Sequence, residues 1–163
     1  MSKTMQAAFG SQRSAVRTAL TTAQASPLGR QLFFTLAQVH QEFQDRMQRA
    51  LRQVDLDIRQ YTTLAYIAEG HTPTQLELAQ ILHLDPSQVV TLTKGLAARE
   101  LIVRQIVPED RRARAVVITP QGKQVYQQAA HMVARVEEAL TASLSRRDHS
   151  ALQNLLARTL PLS

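Results

Sequence analysis

The stretch DPSQVVTLTKGLAARELIVRQIVPEDRRARAVVIT, residues 85–119, decides the fold because its hydrophobic period changes partway along. Apolar residues first recur every three or four positions, from Val89 to Leu96, as they do in a helix. The Asp-Pro pair in front supplies an N-cap and a first-turn proline. The pattern then alternates and predicts two strands, over 101–107 and 115–119. A helix followed at once by a hairpin is typical of a winged helix-turn-helix.

The residues before this stretch predict three further helices. An apolar stripe over 28–54 indicates one long amphipathic helix. A second helix is predicted over 56–67, with Gly70 available as a left-handed cap. The third begins at Thr74, where Glu77 completes the spacing of a capping box. Together with the helix after residue 85, these segments complete the helical part of a winged lobe.

Two helices follow the hairpin, one starting near Pro120 and one capped by Ser145. The predicted order is four helices, two strands and two helices, which makes the protein mainly α with a small β-hairpin. A winged helix-turn-helix lobe over 55–120 is too small to cover the apolar stripes of the terminal segments. We therefore predict that residues 28–54 and 121–163 form dimerisation helices that flank the lobe.

Composition restricts the classes of protein that are compatible with this chain. Its 163 residues suit a single domain, and the absence of cysteine excludes disulfides and thiolate metal sites. No apolar run is long enough to span a membrane, so we predict a cytoplasmic protein without membrane contact. The net charge is +6, and residues 86–123 carry seven basic against three acidic side chains. Such a basic block favours a polyanion as the partner.

Residues 1–27 contain basic side chains and no acidic ones, among many Ala, Ser, Thr and Gln. We predict a flexible basic N-terminal tail ahead of a single domain over 28–163. Two alternatives remain for this tail: a basic arm that touches nucleic acid, and an organellar transit peptide, which has a similar composition.

The outward face of the helix over 86–99 is the first candidate for DNA contact. It combines short hydrogen-bonding side chains with one cation, and residues 86–99 contain no acid. These groups suit base edges and phosphates, whereas an ordinary solvated helix would more often carry Glu–Lys pairs. The residues predicted to bind DNA on this face are Ser87, Gln88, Thr91 and Lys94.

The charged turn between the two strands is the second candidate. Arg111, Arg112 and Arg114 place three guanidinium groups within four residues. Because these groups repel one another, phosphates or a narrow minor groove are their natural complement. Asp110 is positioned to orient one of them through a bidentate pair.

The stretch DRRARAVVITPQG, residues 110–122, resembles the wing motif of the multiple-antibiotic-resistance regulator (MarR) family of bacterial transcription factors. The shared features are D-x-R, an apolar strand and T-x-x-G at matching spacing. Weaker similarities over 56–67 and at Leu78-Ala79 extend the resemblance to roughly residues 28–160.

The resemblance implies a homodimer, held together by its terminal helices, that reads a palindromic operator with two winged lobes. It implies repression in the first place, with activation as the alternative, and it makes Arg112 the wing arginine with Asp110 as its orienting partner. It also implies a small aromatic or anionic effector held between the dimerisation helices and the lobe. The residues predicted at this effector site are His40, Phe43, Arg46 and Tyr61. Structural roles for the histidine and the tyrosine are the alternative at these positions.

One position departs from the family pattern, because the family usually has glycine where this chain has Glu100. A glutamate held at positive φ costs about 1 kcal/mol, so an alternative is that the helix ends differently here. Gly95, inside the same helix, costs roughly 0.5–1 kcal/mol relative to alanine.

The sequence contains no phosphate-binding loop, nucleophile elbow or zinc-protease motif. Its five histidines include no pair at helical spacing, so we predict no enzyme activity, no cofactor and no metal. The predicted function is a bacterial transcriptional regulator that binds double-stranded DNA in a sequence-specific manner. A winged-helix interaction module for an acidic protein partner is the alternative, and the three wing arginines favour DNA.

Overall fold

The computed structural model describes residues 18, 19, 21–106 and 114–160, except for the side chains at positions 106 and 114. Its main elements follow the predicted order, and the mainly α fold class with a small hairpin is confirmed. The helices are α1 (Leu32–Leu51), α2 (Ile58–Ala68), α3 (Gln75–Ile81), α4 (Pro86–Ala98), α5 (Pro120–Thr141) and α6 (Arg146–Thr159), and the strands are β1 (Ile102–Ile106) and β2 (Arg114–Ile118).

The chain divides into two compact units, Met1–Glu42 and Phe43–Ser163. In the first unit, residues 18, 19 and 21–25 are helical and a 3₁₀ turn covers Pro27–Arg30. The described part of the predicted tail therefore has regular structure, and its flexibility stays a prediction. The second unit contains the whole winged lobe.

The lobe has a continuous apolar core to which every one of its elements contributes. Leu64 of α2, Leu78 of α3 and Leu96 of α4 are fully buried, together with Ile102 and Val116 of the hairpin. In addition, α2 packs against α5, and α3 packs against α4. The recognition-helix candidate α4 is thus held on a preformed scaffold.

The hairpin pairs β1 and β2 antiparallel, from Ile102 opposite Ile118 to Ile106 opposite Arg114. Its outer edge is also occupied, since the Val116 backbone N–H donates to the Pro73 carbonyl at 2.8 Å. This bond ties β2 to the segment that leads into α3, so the wing and the helix-turn-helix are one structural unit.

The end of α4 settles how the chain accommodates Glu100. Glu100 adopts φ 58°, and the N–H groups of Glu100 and Leu101 donate to the carbonyls of Ala97 and Leu96 at 2.9 and 3.0 Å. This is a Schellman motif with glutamate at the left-handed position, so the alternative that the helix ends differently is wrong. Burial of the following Leu101, 1% exposed, offsets the backbone cost, because burying a leucine contributes about 1.5–3 kcal/mol.

The same solution recurs at two other helix ends. Asp55, at φ 54°, precedes the buried Leu56, and His83, at φ 51°, precedes the partly buried Leu84. In each case the leucine N–H bonds back to a carbonyl five residues earlier. Three helical segments therefore end at a non-glycine residue in the left-handed conformation, and a leucine that packs inward follows each of them.

The T-x-x-G motif has a direct structural explanation at the start of α5. The Thr119 hydroxyl accepts from the Gly122 backbone N–H at 2.9 Å, which makes Thr119 the N-cap. A Cβ added to Gly122 would lie 2.0 Å from the Leu101 carbonyl oxygen. Glycine is therefore required here because the first turn of α5 touches the backbone that leads into β1.

Candidate nucleic-acid interface

The outer face of α4 is accessible along its length. Val89 and Leu96 are fully buried on the inner face, as their spacing predicted. The predicted contact residues Ser87, Gln88, Thr91 and Lys94 are all exposed. Their exposure is confirmed, while their contact with DNA stays a prediction.

Local hydrogen bonds restrict which groups on DNA two of these side chains can contact. The Gln88 Oε1 atom accepts from the Asp85 backbone N–H at 3.2 Å, in the manner of a capping box. The Thr91 hydroxyl donates to the Ser87 carbonyl at 3.1 Å. Gln88 therefore offers its amide N–H groups outward and Thr91 its oxygen lone pairs. A bidentate contact to adenine needs both the donor and the acceptor of a glutamine, so Gln88 in this conformation is suited to acceptors on a base or phosphate.

A solvent-open cleft of about 530 Å³ runs beside α4. The first turn of α2 forms one wall, with Arg59 and Gln60, and the exposed side of α4 forms the other. Gly95 lies between them, and a Cβ added there would have only the Gln60 Nε2 atom nearby, at 3.9 Å. The helix-weakening glycine is thus not required by packing, and the missing side chain leaves the cleft open.

Arg59 is a functional candidate that the sequence reasoning missed. It is exposed, and it lines the same cleft as Gln88 and Thr91 although it is far from them in sequence. Arg59 adds a cation beside the acid-free face of α4, in a cleft that Asp57 also lines. Only the packing of α2 against α4 brings it there, and no spacing in the sequence signals that contact.

A polar contact inside the lobe holds α4 against α3. Thr93 is fully buried, and its Oγ1 atom accepts from the Gln75 Nε2 atom at 2.6 Å while donating to the Val89 carbonyl at 2.8 Å. The hydroxyl is thus satisfied in both roles, and the contact fixes the position of α4 relative to the first residue of α3. Sequence reasoning did not identify either side chain.

The predicted wing contacts fall mostly outside the described residues. Asp110, Arg111 and Arg112 lie there, and Arg114 is described only as the first residue of β2. The strand pairing establishes the hairpin on which these residues are carried. Their contacts with DNA, and the orienting role of Asp110, stay predictions.

The predicted effector residues are placed as follows. His40 is exposed on α1 in the first unit, and Phe43, Arg46 and Tyr61 are partly buried in the second. The Tyr61 ring stacks on Tyr126 of α5, with centroids 6.1 Å apart. Burial raises the pKa of Tyr61, and the neighbouring Tyr126 and Glu137 raise it further. Tyr61 thus takes part in the packing of α2 against α5, and the effector site stays a prediction.

Two other kinds of site are absent from the described part of the chain. No group of three or more His, Asp or Glu side chains is placed to hold a metal ion there. None of the described helices is long and apolar enough to cross a membrane.

Comparison with known proteins agrees with this geometry. Residues 54–113 match the profile of the MarR family. This range contains the helix-turn-helix and the start of the wing. The chain is 29% identical to the HTH-type transcriptional regulator YhbI of Bacillus subtilis, over 77% of this chain and 79% of YhbI. It is 26% identical to the multiple antibiotic resistance protein MarR of Salmonella typhimurium, over 83% and 92% of the two chains.

Solved structures show the same similarity in three dimensions. CouR from Rhodococcus jostii RHA1, solved with p-coumaroyl-CoA, superposes with a TM-score of 0.73 and 26% identity, covering 80% of this chain and 92% of CouR. CouR bound to a 23-mer DNA duplex gives a TM-score of 0.75 and 27% identity, covering 80% and 93%. The profile, the relatives and the solved structures all support a MarR-family winged helix-turn-helix transcriptional regulator.

Proposed function

We propose that this protein is a homodimeric transcriptional repressor that binds a palindromic operator through α4 and the hairpin. The observation that carries the proposal is the exposed face of α4, which has hydrogen-bonding groups and Lys94 but no acid. That face is mounted on a lobe with a continuous, mainly apolar core. The CouR structure on a DNA duplex supports the same use of this fold.

The contacts divide into two classes on chemical grounds. Thr91, and Gln88 through its free amide N–H groups, suit the edges of bases in the major groove. Lys94, and Arg59 across the cleft, suit phosphates, which position the protein without reading sequence. The operator therefore sits with its major groove on α4 and one backbone strand along the cleft.

Exposed apolar side chains on the terminal helices support the dimer. Leu155 of α6 is 57% exposed, and Leu160, directly after α6, is 68% exposed; on α1, Leu32 is 68% exposed and Phe33 is 67% exposed. Stripes of this kind mark interaction surfaces rather than ordinary solvated faces. A second copy of the chain supplies an identical stripe, as the two-fold symmetry of a palindrome requires.

A small aromatic or anionic effector is the finer part of the proposal, and it acts by weakening operator binding. The support is the CouR structure with an aromatic acyl thioester together with the predicted residues His40, Phe43, Arg46 and Tyr61. Salicylate at millimolar concentration is expected to raise the melting temperature and weaken operator binding. If both quantities stay constant for salicylate and p-coumarate, the effector part of the proposal is wrong.

The test of DNA binding compares two substitutions on the same surface. We expect Arg59→Ala to weaken binding to all duplexes and to reduce the slope of log K against log salt by about one per protomer. We expect Thr91→Ala to reduce the preference for operator over random duplex by about 1–3 kcal/mol per contacted base and to leave the salt slope unchanged. Arg135→Ala, an exposed arginine on α5, is the matched control and should change neither quantity.

Two results would contradict the proposal. Duplex binding by the wild-type protein that does not depend on salt would exclude a phosphate-binding surface. Capture of an acidic protein partner without any duplex binding would favour the interaction-module alternative instead.

A further inference from the structure

We propose that Arg99 is a positioning residue whose side chain sets the angle between the recognition helix α4 and the chain at Val54–Asp55, and through that angle the spacing of operator half-sites. The proposal rests on the proposed function, because it requires a dimer on a palindrome. It assigns to Arg99 a role different from that of the other cations of the basic block.

The side chain of Arg99 connects α4 to the chain that follows α1. Its guanidinium donates from Nη2 to the Val54 carbonyl at 3.2 Å and from Nη1 to the Asp55 carbonyl. These carbonyls terminate the 3₁₀ turn Arg52–Val54 that continues α1. Carbonyls at a helix end carry partial negative charge and lack intrahelical partners, so a cation is their natural complement.

The backbone of the same turn connects α4 to the other dimerisation segment, α5. The Glu100 carbonyl accepts from the Thr119 hydroxyl at 2.6 Å, and the Arg99 carbonyl accepts from the Gln121 Nε2 atom at 3.3 Å. The Thr119 N–H also donates to the Leu101 carbonyl at 3.1 Å. The turn Arg99–Leu101 is therefore a junction where the end of α1, the start of α5 and the end of α4 meet.

A change of angle at this junction would displace the residues proposed to contact bases. It lies at the C-terminal end of α4, whereas Ser87, Gln88 and Thr91 lie in the N-terminal half. The 13 residues of α4 span about 20 Å, so a tilt of roughly 10° at the junction displaces the far end by about 3 Å. Such a displacement exceeds the tolerance of a hydrogen bond to a base, and it occurs in both protomers of a dimer.

The hydrogen bonds of Arg99 also distinguish it from a phosphate-binding arginine. Its donors are directed to Val54 and Asp55, and its side chain is partly buried, unlike the exposed Lys94. Loss of Arg99 should therefore alter geometry more than the electrostatic attraction to DNA.

The experiment measures binding to duplexes whose two half-sites are separated by distances varied in single base-pair steps, and to a duplex with one half-site. Wild-type protein should show one preferred spacing. For Arg99→Ala we expect the preference over the neighbouring spacing to fall by about tenfold, the cost of one lost base contact, while single half-site affinity changes less than about twofold. Arg99→Lys, which keeps a donor but lacks the planar fork, should retain part of the preference.

Lys94→Ala is the control and should weaken binding at every spacing equally. The proposal is overturned if Arg99→Ala keeps the wild-type spacing preference. It is also overturned if Arg99→Ala weakens the half-site duplex as much as the palindromes, because a merely structural role or a phosphate contact predicts that result.

A second measurement does not depend on DNA. Amide hydrogen exchange should accelerate at Asp55, Leu56 and Glu100 in Arg99→Ala while the amides of α2 keep their protection. If wild-type protein binds no duplex, the proposed function fails and hydrogen exchange alone decides the role of Arg99. Unchanged exchange at the junction overturns that role.

Discussion

The winged lobe and the C-terminal helix α6 use their leucines in opposite ways. Leu64, Leu78 and Leu96 of the lobe are completely buried. On α6, Leu155 is 57% exposed and none of the helix residues is buried; Leu160, directly after the helix, is 68% exposed. The lobe therefore buries most of its large apolar side chains within one chain, with Leu76 among the exceptions, whereas α6 buries none of its leucines.

The helix-capping signals, unlike the burial of leucines, are similar in the two regions. Ser145 caps α6 by accepting from the Asp148 N–H at 3.2 Å, just as Thr74 caps α3. Capping specifies where a helix starts, but a 14-residue helix such as α6 is marginal without tertiary packing. What separates the two regions is packing, and substitutions that act on packing should distinguish them most clearly.

The largest expected effect comes from placing a charge on the α6 stripe. Leu155→Glu should convert the proposed dimer into an 18.2 kDa monomer and weaken operator binding by about 100-fold or more, since the change acts once in each protomer. The lobe should keep its fold, because Leu155 contributes nothing to its core. Sedimentation velocity and operator titration measure the two outcomes.

The lobe offers a matched control for this substitution. Leu76 on α3 is 63% exposed, so Leu76→Glu introduces the same charge at an equally exposed leucine outside the stripe. It should leave the protein dimeric. Equal dissociation in both variants, or in neither, would mean that the exposed stripe on α6 is not the dimer interface.

The second-largest expected effect concerns close packing within the lobe and its change in the free energy of unfolding. Gly122→Ala should lower the free energy of unfolding by about 3 kcal/mol, because the new methyl group would lie 2.0 Å from the Leu101 carbonyl oxygen. Gly95→Ala is the control, because a Cβ added there would lie 3.9 Å from the Gln60 Nε2 atom, and it should stabilise the protein by about 0.5–1 kcal/mol. Urea denaturation measures both, and a Gly122→Ala variant as stable as wild type would show that α5 and β1 can move apart.

The features that could be predicted from the sequence are local ones. The capping box at Thr74, the N-cap at Asp85, the hairpin and the outward face of α4 all depend on residues a few positions apart, and each was predicted correctly in its structural part. Spacing of this kind reflects local geometry that any sequence reveals.

The features that sequence reasoning missed join residues far apart in the chain. Gln75 reaches Thr93, and Arg99 reaches Val54, through tertiary contacts that have no periodic signature. Arg59 belongs to the candidate interface for the same reason. At Glu100, local propensity pointed away from the observed turn, and burial of Leu101 decided the outcome.

The third prediction concerns that turn. Glu100→Gly should stabilise the lobe by about 1 kcal/mol, because glycine adopts the observed φ of 58° without the cost of a side chain. Glu69→Gly is the matched control, since Glu69 ends α2 at φ −73° and gains nothing from glycine. Equal changes in the melting temperatures of the two variants would mean that the left-handed conformation carries no measurable cost at Glu100.

The smallest expected effect depends on pH and concerns the cap of α3. Hydrogen bonds from the Thr74 backbone N–H at 2.6 Å and from its hydroxyl at 2.9 Å hold the pKa of Glu77 below its ordinary value of 4.5. Because the folded-state pKa is depressed, the ionised carboxylate stabilises the folded protein above pH 4.5, and this contribution is lost as pH falls through the folded-state pKa.

We therefore expect Glu77→Gln to destabilise the lobe at pH 7 by about 0.5 kcal/mol, the size of an exposed charge interaction at a helix N-terminus. The difference from wild type should shrink as the pH is lowered below 4.5, where the wild-type carboxyl becomes protonated and resembles the amide. Chemical denaturation at several pH values between about 3 and 7 measures the difference. A gap between Glu77→Gln and wild type that widens on acidification would show that the carboxylate opposes the fold of α3.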